Sequence, residues 1–297
     1  MDRVRASWDW TFAAGKELVG EWSKDRVGGL AAEIAFFALL GFFPAVVALA
    51  AALGSADAII GENTAANVET WLVDQMANVF GGDNSLESTT RALFEGGNGG
   101  ALTVGAVIAV YAASRGFTAV VRALDVAYDH GDLRGWLSTR LIGVGLTLLS
   151  VLAATIVLTM IVVGPLFGEG DDIASGLGFS SVVGTLWDWL RWPVVFAVLV
   201  VWAATVYHVA PNHTSPWRSE LPGALVAAVW WGAVSLGFST YLEIASSGAN
   251  AIFGLLGGAI SLLFWLYLMA MGLLLGAEIN SIRAVRLGLD LDARRSR

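Results

Sequence analysis

The chain has 297 residues, of which 56% are hydrophobic and only 14% are charged, and its net charge is -8. Soluble domains carry roughly 25% charged residues, so this composition indicates a membrane protein rather than an acidic soluble one. Because the chain has no cysteine, disulfide bonds, thiolate metal sites and a cysteine nucleophile are excluded.

Residues 1–27 alternate basic and aromatic side chains, with Trp8, Phe12 and Trp22 at roughly helical spacing. Such a pattern predicts an amphipathic helix lying on the membrane surface. Basic residues among aromatic ones can also bind nucleic acid. Interfacial anchoring is favoured here because an apolar run follows directly.

The first predicted span covers about residues 28–53 and contains Glu33 and Pro44. It is longer than the roughly 7–15-residue core of a signal peptide, so we expect an uncleaved span. Pro44 predicts a helix kink, because proline removes a backbone hydrogen bond. An acid-rich loop over 54–99 follows and ends in a glycine-rich stretch.

Apolar runs predict five further spans, and the segments between them are polar. We interpret Arg122 to Arg140 as one polar turn, and Gly272 with Gly276 as a small-residue contact surface within the bundle. The predicted spans cover about residues 101–121, 141–167, 187–210, 222–242 and 252–280.

The distribution of basic residues predicts the orientation. All but three of the 17 lysine and arginine residues lie in 1–27, 122–140, 211–221 or the tail 283–297. By the positive-inside rule both termini are cytoplasmic, and an even number of spans agrees with this. The sequence thus predicts an all-α polytopic membrane protein with an amphipathic N-terminal helix, a six-span domain over 28–282 and a cytoplasmic basic tail.

Four segments together resemble the YihY/BrkB family of bacterial inner-membrane proteins, once described as ribonuclease BN. The resemblance implies a six-span bundle in the bacterial cytoplasmic membrane, and a role as an envelope-integrity protein or transporter. Arg115 departs from the small or polar residue expected at its position. The segments are AAEIAFFALLGFFP at 31–44, SRGF at 114–117 with RALD at 122–125, WR at 217–218 with LPGA at 221–224, and GAEIN at 276–280.

Glu33, Arg115 and Glu278 are predicted to lie at similar depth near the cytoplasmic side, with Asn280 beside Glu278. An ionised group in hydrocarbon costs several kcal/mol unless it is paired, so we expect a Glu33–Arg115 or an Arg115–Glu278 ion pair. One interpretation is that such a pair fixes the register of the helices. The other is a binding site in which Arg115 meets an anionic headgroup or solute.

The leading functional hypothesis is a transporter or permease for a lipid or an amphipathic or small solute in envelope maintenance. The alternative is a structural scaffold whose outer loop, 54–99, binds a partner. P-loop, Gly-x-Ser-x-Gly and HExxH motifs are missing from the sequence, so we expect no enzymatic activity, ribonuclease included. We expect membrane lipids as partners, and neither a cofactor, a metal ion nor a nucleic acid. His130, His208 and His213 are predicted to be surface residues.

Overall fold

The structure, a computed structural model, describes residues 17–41, 99–129, 135–158, 160, 181–213, 215–246 and 251–288. This part of the chain contains no strand, which confirms the all-α class. Arg26 adopts a left-handed backbone conformation, with φ of 51°, in the turn between the first two helices. In chain order the helices are α1 over 17–24, α2 over Val27–Gly41, α3 over Gly99–Ala127, α4 over Trp136–Leu158, α5 over Ser181–Val209, α6 over Leu221–Ser246 and α7 over Ala251–Arg286.

Among the described residues, four helical segments are long and apolar enough to cross a membrane. Large apolar side chains are exposed on their outer surfaces, as at Leu148, Leu236 and Ile260, which suits contact with lipid. The described part of α2 is a shorter apolar helix, and Pro44 lies outside the described residues. The six-span count and the orientation stay predictions. The four segments are Trp136–Val157, Trp189–Val209, Trp217–Leu242 and Gly257–Arg286.

The predicted polar turn over 122–140 is wrong in its extent. Helix α3 continues to Ala127 and α4 already begins at Trp136, so Arg122 and Arg140 lie in helices. The helix continues because Leu124 and Ala127 are buried in the core. The prediction of a turn rested on the charge of these arginines. The apolar residues that follow Arg122 extend α3 to Ala127 instead.

Helices α3 to α7 form a closed ring in which each contacts the next and α7 contacts α3. The core of the ring is rich in alanine, with Ala203, Ala227 and Ala277 all fully buried. Helix α2 joins this core through Val27 and Ile34. Small residues allow the helix backbones to approach closely, which is how helices associate in a membrane.

Glycine allows the closest approach, between α6 and α7. A Cβ atom on Gly276 would overlap Tyr207 Oη and the carbonyl oxygen of Gly223, and one on Gly272 would overlap the Trp230 ring. The Trp230 indole donates a hydrogen bond to the carbonyl oxygen of Leu268 at 2.8 Å. The predicted contact role of Gly272 and Gly276 is confirmed.

A buried hydrogen-bond network holds the connection between α5 and α6. Tyr128 Oη donates to Glu220 Oε2 at 2.5 Å, and Ser215 Oγ donates to the other Glu220 oxygen. His213 Nδ1 accepts from the Ser215 backbone N–H at 3.2 Å, while His213 Nε2 donates to the Tyr207 carbonyl at 3.0 Å. His213 is fully buried. The prediction of a surface histidine is wrong here, because this connection folds inward.

Candidate ligand-binding site

A cavity of about 470 Å³ lies between α2, α3 and α4. Helical spacing explains its lining, because residues four apart on a helix share one face. Glu33 and Phe37 are four apart on α2, and Trp136 and Arg140 are four apart on α4. The complete lining is Glu33, Phe37, Tyr111, Arg115, Thr118, Ala119, Arg122, Trp136, Thr139 and Arg140.

The cavity carries an excess of positive charge. Three guanidinium groups, those of Arg115, Arg122 and Arg140, line it together with one carboxylate, Glu33. Among the described residues, no carboxylate oxygen lies within 4.0 Å of a nitrogen of these three arginines. Arginine cannot lose its charge at physiological pH, so the cavity attracts anions.

Aromatic rings position two of the guanidinium groups. Arg140 Cζ lies 4.6 Å from the ring centroid of Tyr111, and Arg115 Cζ lies 5.8 Å from that of Phe37. A guanidinium over an aromatic face is held by the ring quadrupole while its N–H groups keep their hydrogen-bonding capacity. Both arginines are therefore held in place with donors left for a ligand.

A second cavity of about 310 Å³ is almost wholly apolar and lies among α2, α3, α5, α6 and α7. Phe37 lines both cavities, on the boundary between the charged one and the apolar one. The two cavities therefore offer adjacent sites for a charged group and for a hydrocarbon. The apolar lining is Ile34, Phe37, Ala38, Gly41, Gly116, Phe117, Val120, Trp202, Trp231, Leu266, Met269, Ala270 and Leu273.

The structure separates the residues of the predicted polar cluster into two places. Glu33 and Arg115 line the charged cavity, whereas Glu278 and Asn280 do not. Neither expected ion pair, Glu33–Arg115 or Arg115–Glu278, is present at an N–O distance of 4.0 Å or less. Arg115 is directed to the Phe37 ring instead.

Glu278 interacts with Asp25, which lies in the turn between α1 and α2. Burial raises the pKa of Asp25 above its usual range, because desolvation disfavours the carboxylate. Glu21, Asp25 and Asp129 each place one oxygen within 4.8 Å of the others, a spacing that could hold a metal ion. Lys24 bonds to Glu21 and Asp129, and both carboxylates raise its pKa.

Sequence reasoning identified Arg115 but missed Arg122, Arg140, Tyr111 and Trp136 as site residues. A signal for α3 was present, because Tyr111, Arg115 and Arg122 follow one helical face. No comparable signal was available for α4, since Arg140 was assigned to a turn. Only the packing of α3 against α4 shows that the two sets share a cavity.

A sequence profile of the family described as Virulence factor BrkB matches residues 18–296. The chain belongs to the BrkB family. This confirms the resemblance seen in the four sequence segments. It also establishes the chain as a membrane protein of that family, in agreement with its apolar helices.

Relatives of this BrkB-family chain carry different names. The ribonuclease-like protein YfkH of Bacillus subtilis is 32% identical over 273 residues, which cover 90% of this chain and 94% of YfkH. A UPF0761 membrane protein of Stenotrophomonas maltophilia is 37% identical over 79 residues, which cover 27% of this chain and 18% of that relative. No solved structure matches the chain.

Proposed function

We propose that this protein binds an anionic amphiphile, a lipid or an amphipathic solute, and moves it within the bacterial cytoplasmic membrane as part of envelope maintenance. The observation that carries the proposal is the charged cavity, where Arg115, Arg122 and Arg140 have no carboxylate partner among the described residues. The adjoining apolar cavity suits the hydrocarbon part of such a molecule.

The chemistry of the charged cavity favours a phosphate or carboxylate group. A guanidinium offers a planar set of donors that bonds two oxygens of such a group at once. The cavity volume, about 470 Å³, falls within the roughly 300–1,000 Å³ of small-molecule sites. Thr118 adds a hydroxyl group to the lining, and Trp136, with 77% of its surface exposed, offers an amphipathic ring at the rim.

Lipid binding to the purified full chain tests the proposal. Titration with phosphatidylglycerol and with zwitterionic phosphatidylethanolamine, followed by native mass spectrometry, is expected to show a preference for the anionic lipid. Arg115→Gln and Arg140→Gln should each weaken phosphatidylglycerol binding about fivefold, because a partly exposed ion pair contributes about 1 kcal/mol. Arg218→Gln is the matched control, since Arg218 is exposed and outside the cavity.

Equal binding of the two lipids, or an equal loss in Arg218→Gln, would contradict a headgroup site. A structural scaffold role would then explain the function of the protein better than lipid binding. Movement is tested separately in liposomes that contain the protein, from the rate at which a labelled phosphatidylglycerol changes leaflet. We expect that rate to fall in Arg115→Gln, and an unchanged rate would restrict the site to binding.

We further propose that the chain is not an enzyme. The name of YfkH describes that protein as ribonuclease-like. An RNA cleavage assay therefore tests this proposal on the present chain. The full chain incubated with RNA and Mg²⁺ should produce no cleavage. Cleavage that disappears in Asp129→Asn would contradict the proposal, because Asp129 is one of the carboxylates placed to hold a metal ion.

A further inference from the structure

Carboxylates from separate elements converge at the start of α2, away from the arginine cavity. Glu21 lies on α1, Asp25 in the following turn and Asp129 two residues after the end of α3. One oxygen of each lies within 4.8 Å of the others. Ca²⁺ binds oxygen at about 2.3–2.6 Å, so ligands on opposite sides of the ion are about 4.6–5.2 Å apart. Three oxygens at that 4.8 Å limit lie slightly too far from a common centre, so small side-chain movements would bring all three carboxylates into contact with one cation.

A second, independent observation comes from Glu278 on α7. Only 1% of its surface is exposed, and its Oε1 atom is buried without a hydrogen-bond partner. Its carboxyl group interacts with that of Asp25, a member of the cluster. A buried polar atom without a partner is costly, and most such atoms have an explanation. A cation beside Asp25 would supply the missing partner.

The ammonium group of Lys24 already binds to this cluster, but it neutralises only part of the cluster's negative charge. Its ammonium lies 2.8 Å from Glu21 Oε2 and 3.0 Å from Asp129 Oδ1. The Lys24 side chain is 56% exposed and flexible, so it can leave the cluster at little cost. Lys24 thus bonds to two carboxylates of the cluster, Glu21 and Asp129.

We propose that Glu21, Asp25, Asp129 and Glu278 form a binding site for a hard divalent cation, Mg²⁺ or Ca²⁺, with Lys24 as the competing internal cation. All four ligands are oxygen donors, and neither histidine nor cysteine takes part, so the site selects hard cations over Zn²⁺ or Cu²⁺. The bound ion joins α1, the α1–α2 turn, the end of α3 and α7.

Calorimetric titration of the full chain in nanodiscs, freed of metal and then given MgCl₂ or CaCl₂ alone, tests the site. Asp129→Asn and Glu278→Gln should each weaken binding about tenfold or more, since each removes a carboxylate from the ion. Asp129 is exposed, so its variant should fold even if the Glu278 variant does not. Glu17→Gln is the matched control on α1, because Glu17 pairs with Arg286 outside the cluster.

Lys24→Met distinguishes a cation site from a simple salt-bridge cluster. If Lys24 competes with the ion, its removal should tighten binding several-fold. Titration with each ion in turn shows which the site prefers, and binding of either supports the proposal. The proposal is overturned if neither ion binds at millimolar concentration, if Asp129→Asn binds as tightly as the unmodified chain, or if Lys24→Met weakens binding.

Discussion

Asn280 joins α7 to the start of α6 through both ends of its side-chain amide. Its Oδ1 atom accepts from the Gly223 N–H at 2.8 Å, and its Nδ2 atom donates to the Glu220 carbonyl at 3.0 Å. The first N–H groups of a helix have no partner within the helix, so Asn280 satisfies one that would otherwise be buried unpaired. Glu278, two positions earlier on α7, has no such partner for its Oε1 atom. Two polar residues two positions apart therefore have different physical roles.

Replacing Asn280 by leucine should destabilise the fold. The substitution keeps the side-chain size but leaves the Gly223 N–H and the Glu220 carbonyl buried without their partner. Each unsatisfied group costs about 1–3 kcal/mol, so we expect a clear loss in thermal stability. The measurement is the melting temperature in detergent, followed by tryptophan fluorescence. Ser239→Ala is the control, because Ser239 is exposed and bonds only within its own helix. Equal melting temperatures for the two variants would contradict this role.

At the scale of elements, the contact between α6 and α7 depends on glycine at particular positions. Gly276→Ala places a methyl group against Tyr207 Oη and the Gly223 carbonyl, so the helices must separate. Such overpacking costs about 1–3 kcal/mol. Gly232 also lies in α6, but a Cβ there would meet no atom within 4 Å. Gly232→Ala should therefore be neutral or slightly stabilising, because alanine favours helix.

Thermal unfolding of the two glycine variants, measured side by side in the same detergent, checks this prediction. Gly276→Ala should unfold at a lower temperature than the unmodified chain, and Gly232→Ala at the same temperature or higher. A loss of stability in both variants would mean that helix flexibility, rather than the close contact of α6 with α7, decides the effect.

The helical elements were predictable because apolar length is a local property of the sequence. The sequence also places Glu33 and Arg115 at similar depth, and they do share a cavity. It could not show that Glu278 faces Asp25, because depth along a helix leaves the direction of the side chain around the axis undetermined. That direction depends on which helices become neighbours, here α7 with α3 and α6. The site residues on α4 were missed because Arg140 was assigned to a turn rather than to a helix.

At the scale of the whole molecule, apolar and charged side chains occupy different places. Large apolar side chains cover the outside of the ring, as at Leu152, Val229 and Phe264. Within the described residues, opposite charges gather at the arginine cavity and at the carboxylate cluster. The arginine cavity is lined partly by α2 and α3. The carboxylate cluster includes Asp25 in the turn before α2 and Asp129 just beyond the end of α3. The two helices therefore connect a site of positive charge with a site of negative charge.

The orientation of the molecule in the membrane is the remaining prediction, and the composition makes it simple to test. Because the chain has no cysteine, single introduced cysteines can be labelled without background. Ser23 is exposed on α1, Ser85 lies in the predicted outer loop and Ser296 in the basic tail. Six spans with cytoplasmic termini predict that a membrane-impermeant maleimide labels Ser85→Cys in intact spheroplasts. Ser23→Cys and Ser296→Cys should react only after permeabilisation.

The labelling pattern separates errors in the span count from errors in the orientation. If Ser23→Cys and Ser296→Cys react on opposite sides, the number of spans is odd and at least one apolar run does not cross the membrane. If both react in intact spheroplasts while Ser85→Cys does not, the count is even but the orientation is reversed. The positive-inside rule would then fail for this chain, although nearly all its basic residues lie in segments assigned to one side.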